Sequence, residues 1–123
     1  MNLASIIKNL NLSKLTQNPN QYSYITNDFQ TILDKIFLYM EKLGYTVDIL
    51  AVSYNQLKQL EENYSAVHIF DKYIDKEIIE TGIYGNLFCA DVYISDKLND
   101  NQIITGNISK NKFILNNISY QPI

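Results

Sequence analysis

The side chains of a kind that could do chemistry gather between His68 and Cys89: the single His, the single Cys, and the carboxylates Asp71, Asp75, Glu77 and Glu80. His68 could serve as a general base or a metal ligand, but either role needs partners. No second His exists, and no Cys lies at ligand spacing. Cys89 could be a nucleophile, yet no base accompanies it, and it falls inside an alternating run where a small thiol packs inertly. The carboxylates are interleaved with Lys72 and Lys76 and read as a solvated face, suited at best to a weak calcium or magnesium site. Gly82-Ile-Tyr-Gly85 lacks the spacing and the Lys-Ser/Thr of a phosphate loop. The expectation is a protein without catalysis, cofactor or tightly bound metal.

Composition narrows the remaining classes. A chain of 123 residues with 46% hydrophobic and 19% charged residues has the makings of a globular domain. It contains no Arg, the preferred fork for phosphate and base edges, and its net charge is −3, so nucleic-acid binding is disfavoured. One Cys excludes an internal disulfide. The start, Met-Asn-Leu-Ala-Ser-Ile-Ile-Lys, is no secretory signal, and no run approaches the ~18 apolar residues of a membrane span. The chain is expected to be soluble and intracellular when made. Ten Tyr and no Trp supply amphipathic rings, and Tyr22, Tyr24, Tyr39, Tyr45, Tyr54 and Tyr64 suit either a contact surface or ordinary packing.

Several elements could position such groups. Leu3, Ile6, Ile7 and Leu10 follow helical spacing, and residues 16–24 read as a polar linker broken by Pro19. Residues 1–25 are therefore taken as an N-terminal arm with a short helix, and residues 26–123 as a single α+β domain. Phe29, Ile32, Leu33, Ile36, Phe37, Met40 and Leu43 make one apolar stripe, which predicts a long helix over about 28–43. Asn27 is its expected N-cap and Gly44 its stop. Thr46–Ser53 reads as a buried strand. Ser53 and Gln56 then form a capping box for a second helix from Tyr54 to about Asn63. Further strands are expected near 76–81, 87–95, 103–105 and 112–115, with turns at Leu98–Gln102 and Gly106–Asn107 and no clear pattern from Asn116 onward. The order predicts an α+β fold: a long and a short helix packed on one side of a mainly antiparallel sheet.

The stretch from Glu80 to Asp96 is the most distinctive. Gly82 and Gly85 suggest a turn needing φ > 0, and Phe88, Ala90, Val92 and Ile94 alternate with Cys89, Asp91, Tyr93 and Ser95 as in a half-buried strand. Glu-Thr-Gly-Ile-Tyr-Gly followed by Ala-Asp-Val-Tyr-Ile-Ser-Asp resembles the second half of tailed-bacteriophage major capsid proteins, which have the Hong Kong 97 fold. The resemblance covers about residues 26–108 and lacks that family's long hairpin loop. It implies a structural virion protein, made in the host cytoplasm and carried into the virion. Such a protein works by assembly with copies of itself or with a full-length capsid protein, without specific nucleic-acid or membrane binding. Gly82, Tyr84, Gly85, Asn86 and Tyr93 would then face neighbouring subunits. A truncated module that modulates assembly of a full-length shell protein is the alternative, and a small unrelated α+β enzyme ranks below both.

Overall fold

The computed structural model describes residues 11, 15–24, 29–63, 68–69, 85–87 and 90–120. Their elements, in chain order, are β1 (Thr16–Tyr24), α1 (Phe29–Lys42), β2 (Ile49–Val52), α2 (Tyr54–Asn63), β3 (His68–Ile69), β4 (Gly85–Leu87), β5 (Ala90–Ile94), β6 (Gln102–Asn107) and β7 (Lys112–Tyr120). The strands form one seven-stranded sheet in the order β1-β7-β6-β2-β5-β4-β3.

This corrects the expected fold. The sheet is mixed rather than mainly antiparallel, because β1 pairs with β7 and β2 with β5 in parallel. The helix expected to be long has 14 residues, roughly 21 Å, which is ordinary for a globular protein. A long helix on an antiparallel sheet, the arrangement attached to the capsid resemblance, is not what this chain forms.

The stripe on α1 buries through Ile32, Leu33, Ile36 and Met40, while Phe37 is partly buried and Leu43, at its end, is exposed. Ile32, Leu33 and Ile36 join Leu57 of α2 against Leu50, Val52, Val92, Ile103 and Ile118 of the sheet. Each side chain fully withdrawn from water contributes about 1.5–3 kcal/mol. Met40 packs with Val47, Ala90 and Ile114 at the end of the same face. Helix α1 stops at Gly44, which has φ +89 and whose N–H donates to the Glu41 carbonyl at 2.9 Å. The opposite sheet face carries Ile49, Ala51, Tyr93, Leu98, Ile104 and Leu115.

The capping box of α2 forms as its sequence suggests. The Ser53 N–H donates to Gln56 Oε1 at 2.8 Å, and the Gln56 N–H to Ser53 Oγ at 3.2 Å. Asp100, in the segment between β5 and β6, locks onto the same helix end. Ser53 Oγ donates to its Oδ1, Asn55 Nδ2 to its Oδ2, and Gln56 Nε2 to its carbonyl. A carboxylate there also complements the positive end of the helix dipole.

Residues 16–24 are not a linker but the edge strand β1. Between the pairs Gln17↔Leu115 and Gln21↔Asn117, the residues Asn18, Pro19 and Asn20 stand against Asn116 alone. Proline lacks a donor, so an edge-strand irregularity is where a sheet tolerates it. Asn18, next along from the Gln17↔Leu115 pair, alternates inward and is buried. The sheet thus draws on residues on both sides of position 25.

Strands β6 and β7 run longer than their sequence suggests. Gly106 lies inside β6 rather than in a turn, and β7 continues through Asn116 to Tyr120. Gly106 pairs with Phe113, whose ring lies so close that a Cβ at Gly106 would meet its Cδ1 at 2.6 Å. The chain reverses instead at Ile108–Asn111, where Asn111 has φ 50 and Asn107 Oδ1 accepts from the Lys110 N–H and the Ser109 hydroxyl.

Candidate interaction surface

Helix α1 turns its stripe to the sheet and leaves Leu38 at the middle of its outer side, 49% exposed. At about 100° per residue, Asp34 and Glu41 fall about 40–60° to one side of Leu38, and Lys35 and Lys42 equally far to the other. All four charged residues are exposed. On the acidic side, the segment after the helix returns alongside it. Asp34, Phe37, Leu38, Glu41, Thr46 and Val47 there line an open groove of about 380 Å³. Its floor is apolar, from Phe37 and Val47, and its rim is carboxylate.

Two other polar clusters lie within the sheet. Under the helices, Asn18 Nδ2 donates to Asn116 Oδ1 at 2.8 Å and to the Tyr22 hydroxyl at 2.9 Å. Asn116 Nδ2 donates to Thr105 Oγ1 at 3.0 Å and to the Ile103 carbonyl at 3.1 Å. On the other face, at the β2–β5 pair, Asp48 accepts the Ile108 N–H on both oxygens, at 3.0 and 3.2 Å. The Asp91 N–H donates to the Asp48 carbonyl. Burial, and then the Asp48 charge, push the Asp91 carboxyl above its ordinary value. Burial and the Asp91 charge push the Tyr93 phenol up to about 12. The Tyr93 hydroxyl is, among the described residues, the buried side-chain polar atom without a hydrogen-bond partner.

The residues expected to face neighbours separate. Gly82 and Tyr84 lie outside the described residues, as do Cys89, Asp71, Asp75, Glu77 and Glu80. Gly85 and Asn86 are strand residues, paired with Val92 and Asp91 on one side and with Ile69 and His68 on the other. Leu87 pairs with Ala90, and the turn expected over Gly82–Gly85 falls largely outside the described residues. Tyr93 is 1% exposed and belongs to the core, not to an interface. Its alternation with apolar residues suggests a wet face. However, β5 is an interior strand, buried on both sides. Leu38 was missed, although the sequence carries its signal: an isolated Leu among Thr31, Asp34, Lys35, Glu41 and Lys42 on a polar helix face.

Among the described residues no group of three or more His, Cys, Asp or Glu is placed to hold a metal ion. No helix among them is long and apolar enough to cross a membrane. The chain matches no known protein family, no curated protein and no solved structure, so the resemblance to tailed-phage capsid proteins rests on the quoted residues alone.

Proposed function

We propose that this protein acts by association with another protein chain, through the outer face of α1, rather than by catalysis. The observation that carries the reading is Leu38, half exposed at the centre of that face beside an open groove floored by Phe37 and Val47. A single exposed Leu is ordinary on a protein surface. A Leu beside an apolar groove, with carboxylates on the groove rim and lysines on its far side, offers an anchor and a means of choosing a partner. Assembly into a viral shell is one setting for such association. It is supported by the Glu80–Asp96 stretch and not by the fold.

A photo-crosslinking residue at Thr46, on the groove wall, tests this reading both in the purified protein and in an extract of the source cells. The expected result is a discrete protein adduct from position 46 that is absent with the same group at Lys97. If position 46 yields no adduct in either setting, this face is not a binding surface and the reading is overturned.

A further inference from the structure

The charge pattern of α1 specifies what occupies the groove. Helix α1 carries acid on one side of Leu38 (Asp34, Glu41) and base on the other (Lys35, Lys42), at matching heights along the axis. A surface with this layout complements a copy of itself in one orientation only. When two such helices face each other in parallel, the acidic flank of each meets the basic flank of the other. Asp34 then lies beside Lys35 of the second copy, and Glu41 beside Lys42. In an antiparallel pair like flanks meet, so Asp34 would face Glu41 of the second copy and the pair would repel.

We infer that the groove beside Leu38 receives a second copy of this chain, in a two-fold dimer whose α1 helices run parallel and meet at Leu38. This deepens the association reading above and rests on it. Such a pair is isologous, each copy giving and receiving the same contacts. The aliphatic stems of Lys35 and Lys42 lie over the apolar floor of Phe37 and Val47, and their ammonium groups reach the carboxylates on the rim. The two Leu38 side chains meet on the axis. Charge pairs of this exposed kind are individually weak, so they select the orientation while the apolar contact holds the pair.

Sedimentation equilibrium on the intact chain tests the dimer through a charge exchange. The parent is expected to show a concentration-dependent monomer–dimer equilibrium. Lys35→Glu/Lys42→Glu and Asp34→Lys/Glu41→Lys are each expected to associate at least tenfold more weakly when alone. Mixed one to one, they should return to the parental affinity, because every acid–base pair is then rebuilt. That recovery also shows that both variants fold. Thr31→Cys in a Cys89→Ser background should form a disulfide-linked dimer under mild oxidation, since position 31 meets itself only in the parallel pair. A strictly monomeric parent, variants that associate like the parent, or a mixture that stays monomeric each overturn the dimer. If the parent is monomeric while Thr46 still crosslinks to a different protein, the association reading stands and the second copy falls.

Discussion

Asn116 and Tyr93 are both buried polar residues of the same sheet, on opposite faces, and their polar groups fare differently. Asn116 lies under the helices with its amide donating to Thr105 and Ile103 and accepting from Asn18. Tyr93 lies on the other face with a hydroxyl that meets no partner among the described residues and a carboxylate, Asp91, two residues along its strand. The first arrangement converts burial into register: Asn18 reaches Asn116 where β1 lies beside β7 with Gln17 opposite Leu115. The second gains area from a large ring and leaves its oxygen dry, a cost of about 1–3 kcal/mol. Polar burial in this sheet therefore stabilises where it joins strands distant in sequence, and elsewhere is tolerated for the bulk it supplies.

The largest expected effect sets the scale. Ile36→Asp places a charge under the same face as Asn116 with no network to receive it, and should cost several kcal/mol. If urea unfolding finds this variant as stable as the parent, the α1 stripe is not a core face and the contrast loses its reference.

Asn116→Ala comes next. It removes the amide and leaves Asn18 Nδ2 with the Tyr22 hydroxyl alone, for an expected loss of about 2–3 kcal/mol. The urea midpoint should fall with little change in slope. An unchanged midpoint would mean that the network contributes nothing and that β1 is held by its backbone ladder.

That network marks where the sequence was legible and where it was not. Helix α1, the α2 capping box and the Gly44 stop depend on residues within one or two turns of each other, and their spacing is written locally. The strand β1 is not. Its partner β7 lies 98 residues away at the Asn18–Asn116 contact, and nothing near Thr16–Tyr24 records it. With Pro19 and few apolar residues, such an edge strand has the composition of a linker. The parallel pair β2–β5 is hidden for the same reason, and with it the two-sided burial of Tyr93. At the candidate surface, the apolar stripe marks the inward side of α1, whereas Leu38 departs from that period and is half exposed.

A smaller effect, of opposite sign, is expected at Asp91, on the face that carries Tyr93. The Asp91 carboxyl is raised above its ordinary value, so the folded state holds its proton more tightly than the unfolded chain does. The stability this contributes is complete below the ordinary pKa and is lost as pH rises through the raised one. At pH 7 the environment of this carboxyl therefore works against the fold. Asp91→Asn should raise Tm by a few degrees at pH 7 and leave it unchanged near pH 2. Asp91 is half-buried, and solvent screening keeps the gain small. Equal gains at both pH values would place the cause outside its titration.

The smallest effect at neutral pH is the sharpest test of the contrast. Tyr93→Phe deletes only the hydroxyl that lacks a partner among the described residues. Removing a bonded hydroxyl from a core costs stability, whereas removing an unpaired one returns the desolvation it imposed. The variant should therefore match or slightly exceed the parent at pH 7 in urea unfolding. Its signature lies at high pH. The native phenol is pushed from its ordinary value of 10.0 up to about 12, first by burial and then by Asp91. Below pH 10 the phenol is neutral in both states and contributes no pH dependence. From pH 10 to 12 the unfolded phenol ionises first, so the parent loses stability that the phenylalanine variant keeps; above 12 the difference levels off. Stability curves for the two proteins should thus run together up to pH 10 and separate beyond it, with the variant higher. Loss of stability at pH 7 on the scale of Asn116→Ala would show that the hydroxyl is bonded after all, and the two faces of the sheet would then treat their polar groups alike.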